Sequence, residues 1–137
     1  MGSANRSVAG KTELSLQTID LKLQPPLRPA EKMYTVRLYI SGMEDGKASD
    51  YRERCVIPRP RICLQNRQIL DFYGEMVTQD GRAAELIPEV AGYGIADLTL
   101  SEESRAAYAT ASFSDLRLRT SQPLTVDHVI FFRYEPK

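Results

Sequence analysis

At 137 residues the chain fits one domain, and a chain of this size buries roughly two thirds of the surface its unfolded form exposes. A hydrophobic share of 42% with 26% charged residues is a globular balance, too apolar for a wholly disordered chain. Eighteen basic and eighteen acidic residues cancel, so no whole-molecule field draws the protein to nucleic acid or an anionic membrane; such binding has to come from a local patch.

Residues 1–11 are small and polar without periodicity and are read as a flexible N-terminal arm, followed by a single β-rich domain over 12–137. No apolar segment in the arm has the length of a secretory signal, and Arg6 stands where a myristoylation motif needs a hydroxyl. The longest run of large apolar residues, Val129-Ile130-Phe131-Phe132, is far short of a membrane span. The expected location is therefore cytoplasmic, neither secreted nor transmembrane. In that reducing setting Cys55 and Cys63 are expected as two free, buried thiols.

From Leu14 to Leu23 the apolar residues alternate with one slip of phase, which predicts a strand bent near Gln17-Thr18. Gln24-Pro25-Pro26-Leu27-Arg28-Pro29 is an extended connector that cannot join a sheet interior. Met33–Ile40, rich in β-branched and aromatic residues, is a strand closed by Ser41-Gly42. Arg54–Leu64 gives two short extended pieces split by Pro58-Arg59-Pro60, at best an edge strand.

Ile69–Thr78 and Arg82–Ile87 flank a Gly81 turn and read as a hairpin. Ile95–Leu100 is a strand. Ser101-Glu102-Glu103 offers a hydroxyl cap and two carboxylates at the positive end of a helix dipole, which predicts a helix over 102–113. Leu116–Arg119 and Leu124–Tyr134 are the last strands. The expected fold is α+β and β-rich, an antiparallel sheet or sandwich of about seven strands with one late helix.

No residue set argues for catalysis. His128 is the lone histidine, and its alternation partners Val126, Ile130 and Phe132 are apolar, as for a structural histidine. Cys55 and Cys63 lack the close paired spacing of zinc ligands, and Glu44, Asp45 and Asp50 lack a calcium loop's alternation. No metal, cofactor or small-molecule substrate is expected. Eighteen acids guarantee coincidental carboxylate pairs, so a glycosidase-type dyad has nothing specific behind it.

The segment from Tyr51 to Arg67 stands out. It holds Arg52, Arg54, Arg59, Arg61 and Arg67 against the single acid Glu53. In an extended chain Arg52 and Arg54 share one face and Arg59 and Arg61 another, so paired guanidinium groups could meet phosphates of anionic lipid or RNA. The competing account is an edge strand guarded by charge against aggregation. Arg117 and Arg119 form a smaller same-face pair.

Two segments, Arg67-Gln68-Ile69-Leu70-Asp71-Phe72-Tyr73-Gly74-Glu75-Met76-Val77-Thr78-Gln79-Asp80-Gly81 and Leu100-Ser101-Glu102-Glu103-Ser104-Arg105-Ala106-Ala107-Tyr108-Ala109-Thr110-Ala111-Ser112-Phe113, resemble parts of the small matrix proteins of bornavirus-like negative-strand RNA viruses. The first has the family's basic-apolar-Asp-aromatic-aromatic strand before a Gly turn. The second has its Ala-rich helix, which opens on two acids and ends in Phe before an Arg-containing strand.

The resemblance covers about thirty residues. It implies a non-enzymatic protein that forms a homo-oligomer, lies at the inner face of a membrane or virion envelope, and contacts RNA or nucleocapsid. The five arginines are then the natural lipid or RNA contacts, on electrostatic grounds rather than by alignment with family binding residues. The alternative is a cellular β-sandwich interaction module resembling a calcium-independent C2 domain.

Overall fold

The computed structural model describes residues 5–28, 33–89 and 92–134. Among these, alternating sequence produces the strands β1 (Arg6–Ala9), β2 (Thr12–Leu14), β3 (Ile19–Leu27), β4 (Met33–Tyr39), β5 (Ile62–Cys63), β6 (Ile69–Leu70) and β7 (Phe72–Thr78). The later strands are β8 (Ala83–Glu89), β9 (Ile95–Leu100), β10 (Phe113–Thr120), β11 (Leu124–Val126) and β12 (His128–Tyr134). Two short helices, α1 (Tyr51–Cys55) and α2 (Glu102–Ala107), interrupt them.

Eight strands make one antiparallel sheet in the order β1-β12-β4-β9-β8-β7-β10-β3. The sheet curls until its edge strands β1 and β3 meet, where the Arg6 guanidinium donates to the Pro25 carbonyl. The result is a nearly closed barrel rather than a two-sheet sandwich. Its interior is filled by Phe72, Phe113, Phe131, Leu38, Leu98, Leu116 and Leu118, all essentially inaccessible to solvent. Burial of each such side chain favours folding by about 1.5–3 kcal/mol.

Gly74 sits among them because a Cβ there would come within 2.9 Å of a Leu98 methyl and 3.1 Å of one on Leu118. The strands β2 and β11 pair separately and add Leu14, Leu124 and Val126 to the core.

The differences from expectation have local causes. Residues 6–9, read as part of a flexible arm, form β1 because Val8 packs against the core and the backbone pairs with β12. The slip of phase near Gln17-Thr18 is a break between β2 and β3, which belong to different sheets. The prolines enter β3 after all. That strand is an edge, and its pairing with β10 skips from Lys22 to Leu27, leaving Gln24-Pro25-Pro26 in a bulge where no amide is needed. Residues 54–55, read as extended, belong to α1, so there are two helices and not one.

The late helix also stops at Ala107 rather than reaching 113. Its cap is as expected, with the Ser104 amide donating to Ser101 Oγ at 3.0 Å. It ends because Phe113 is fully buried as the first residue of β10, and Tyr108 packs against it with ring centres 5.7 Å apart and planes tilted by 43°. No helix among the described residues is long and apolar enough to cross a membrane.

Candidate functional site at one mouth of the barrel

The chain leaves β4 at Tyr39 and returns at Phe72, and this excursion covers one mouth of the barrel. It is fastened by a bridge between Met43 and Leu64, by the Glu44 amide on the Cys63 carbonyl at 2.8 Å, and by the Gln65 amide on the Gly42 carbonyl at 2.8 Å. Met43, Ile62 and Leu70 plug the mouth and join the core. Gly42 takes φ +81°, which lets the chain turn sharply out of the barrel wall.

All five arginines singled out in the sequence lie on this excursion, but not in the expected geometry. Arg52 and Arg54 are on a helix, so they do not share a strand face. Arg54 is held on two sides. It donates to Asp50 at 2.9 and 3.1 Å and to Glu44 at 2.7 and 3.1 Å. Hydrogen bonding to Arg54 draws the Asp50 carboxyl below its ordinary range, and the bonds to Glu44 and then Asp50 raise the guanidinium further above its own.

Arg59 and Arg61 converge instead on one carboxylate. Asp71 lies 3.1 Å from Arg59 Nη2 and 3.2 Å from Arg61 Nε, the latter an ion pair at an angle too poor for a hydrogen bond. Arg52 and Arg67 make no ion pair among the described residues. Arg67 adopts φ +76°, which a non-glycine residue rarely does.

Across residues 41–71, six basic residues face five acidic ones. The excess of arginine over 52–67 is therefore largely answered by Glu44, Asp50 and Asp71, from just outside that window. Arg54 also lies between Glu44 and Asp50 and forms an ion pair with each. An open cleft of about 480 Å³ lies beside them, bordered by Glu44, Asp45, Asp50, Arg54 and Arg67.

Cys55 and Cys63 are not free thiols. They form a disulfide with Cα atoms 6.0 Å apart, tying the end of α1 to β5, and both are buried. The reading from a reducing cytosol misses this because the turn at Pro58-Arg59-Pro60 brings two cysteines eight residues apart face to face.

The same mouth carries exposed apolar side chains. Leu16, between β2 and β3, is 67% exposed; Ile57, just after α1, is 47% exposed; Tyr93, in the β8–β9 connection, is 71% exposed. Chain direction places all three here. Ser15 accepts from the Thr120 amide at the end of β10, Asp71 pairs with arginines following Ile57, and Gly94 accepts from the Ile40 amide.

Other candidates sit elsewhere. Arg117 and Arg119 lie on the outer barrel face, Arg117 3.3 Å from Glu75 and Arg119 stacked 3.9 Å over the Tyr73 ring. His128 is half-buried on the outer face and hydrogen-bonds Ser7 Oγ through Nε2 at 2.8 Å. The neighbouring Asp127 accepts from the Ser41 amide at 3.0 Å. No protein-family model, curated protein or solved structure matches the chain.

Proposed function

We propose that this chain is a non-enzymatic assembly protein of viral matrix type, which self-associates and meets an anionic membrane through the mouth covered by residues 41–71. One observation carries the reading: exposed Leu16, Ile57 and Tyr93 occur at the same end of the barrel as Arg52 and Arg67, the two of the five arginines that make no ion pair among the described residues. Apolar tips among guanidinium groups suit the boundary between headgroups and acyl chains, where burial and charge attraction add. RNA would use the charges and leave the aliphatic tips without a partner, which is why lipid is the preferred anionic surface.

The filled barrel supports the same view, since it leaves binding to the outer surface. The small local excess of positive charge predicts an attraction that salt screens readily.

Light scattering combined with flotation on phosphatidylserine vesicles tests this, with neutral vesicles and single-stranded RNA as comparisons. The reading expects a defined oligomer that floats with the anionic vesicles and binds RNA less well. A strict monomer that ignores both vesicles would refute it.

A further inference from the structure

We propose that the Cys55–Cys63 bridge is a redox tether that holds α1 and its arginines against the barrel mouth, so that reduction melts this segment while the barrel stays folded. Its consequence for binding rests on the membrane reading above, but the conformational change does not.

The argument begins with α1 itself. A helix of five residues cannot sustain itself in water, and the Asp50 side chain does not cap it. Its only fully buried residue is Cys55, the cysteine that carries the bridge, while Tyr51 is half-buried. The remaining attachments of the segment are the ion pairs of Arg54 with Glu44 and Asp50, those of Arg59 and Arg61 with Asp71, and one backbone bond from the Arg61 amide to the Cys55 carbonyl at 2.8 Å; the ion pairs are partly exposed and contribute little alone.

The rest of the excursion is anchored differently. Met43, Ile62 and Leu70 belong to the main core, so loss of the bridge frees residues 50–61 and spares the plug. Reduction by a dithiol breaks the S–S bond; two electrons and two protons pass to Cys55 and Cys63, and the dithiol becomes a disulfide. The freed segment would release Arg54 from Glu44 and Asp50, changing which guanidinium groups the mouth presents.

Limited trypsin digestion of oxidised and dithiothreitol-reduced full-length protein tests this, alongside amide exchange and the double variant Cys55→Ser/Cys63→Ser. Arg52 and Arg54 are the reporting sites, because Pro60 protects the bond after Arg59 and the bond after Arg61 leads into Ile62 of the plug. Cleavage there should accelerate about tenfold or more on reduction, while amides of β4, β9 and β12 keep their protection. Equal cleavage in the two states would overturn the proposal, and so would barrel amides that lose protection together with α1. Should the double variant fail to fold, the reduced wild-type chain supplies the same comparison. A change in cleavage without vesicle binding in either state would support the tether and count against the membrane reading.

Discussion

Arg54 reaches back one helical turn to Asp50, its Nε 2.9 Å from Oδ2, and presents the other edge of the same guanidinium to Glu44. The pairing fixes the direction in which α1 leaves the loop. Arg54→Met should therefore loosen residues 50–55 and leave Glu44 without its partner. Amide exchange at Arg54 and Cys55 checks this, and unchanged exchange would mean that the disulfide alone holds the helix.

The same pair makes a pH prediction. Asp50 is drawn below the ordinary carboxylate value, so it binds protons less readily folded than unfolded. Its contribution is present above the unfolded value of about 3.9 and is lost as pH falls through the folded one. Protection of α1 amides should hold from neutral pH to about 4 and decline below it. Protection already declining at higher pH would contradict the pairing.

Asp115 makes a second acid-limb prediction on the outer face of the barrel. It accepts from Lys22 Nζ and from Ser114 Oγ, each at 2.6 Å, and these bonds hold its carboxyl far below the usual range. Asp20 nearby is pushed upward, first by burial and then by Asp115, which partly offsets the gain. Asp115→Asn should cost about 1 kcal/mol near neutral pH and flatten the loss of stability below pH 4. Urea titrations at several pH values measure both effects.

In the core, Gly74→Ala should destabilise by about 1–3 kcal/mol, because the added methyl meets Leu98, Leu118 and Leu86 at once. A drop in urea midpoint with unchanged slope is the expected result. A neutral outcome would show that these leucines can shift rotamer at little cost.

Asp71 offers a test that links fold to binding. Asp71→Asn removes the carboxylate shared by Arg59 and Arg61 and leaves two unpaired guanidinium groups at the mouth. Affinity for anionic vesicles should rise, by about 1 kcal/mol per arginine that becomes available to the surface. Weaker binding would mean that Asp71 is needed to aim those arginines.

The strands were legible wherever one face is buried. Val36 and Leu38 of β4, and Ala96, Leu98 and Leu100 of β9, alternate as their pleat demands. The excursion was not legible, because its order depends on partners distant in sequence. Asp71 is ten residues past Arg61, and nothing local marks it as a shared counterion. Asp50 and Arg54 do have the four-residue spacing of a helical ion pair, but reading the segment as extended concealed it. The bridge was missed for a different reason. A reducing compartment predicts free thiols, whereas the fold brings these two cysteines, eight residues apart, within bonding distance.

Flotation of three proteins on phosphatidylserine vesicles tests the central claim most directly. They are the wild-type chain, Arg52→Glu/Arg67→Glu at the mouth, and Arg105→Glu on α2 at the opposite end. The wild type and the α2 variant should float, and the mouth variant should remain in the dense fraction. Equal flotation of all three, or loss of binding in the α2 variant alone, would contradict a membrane contact through the mouth.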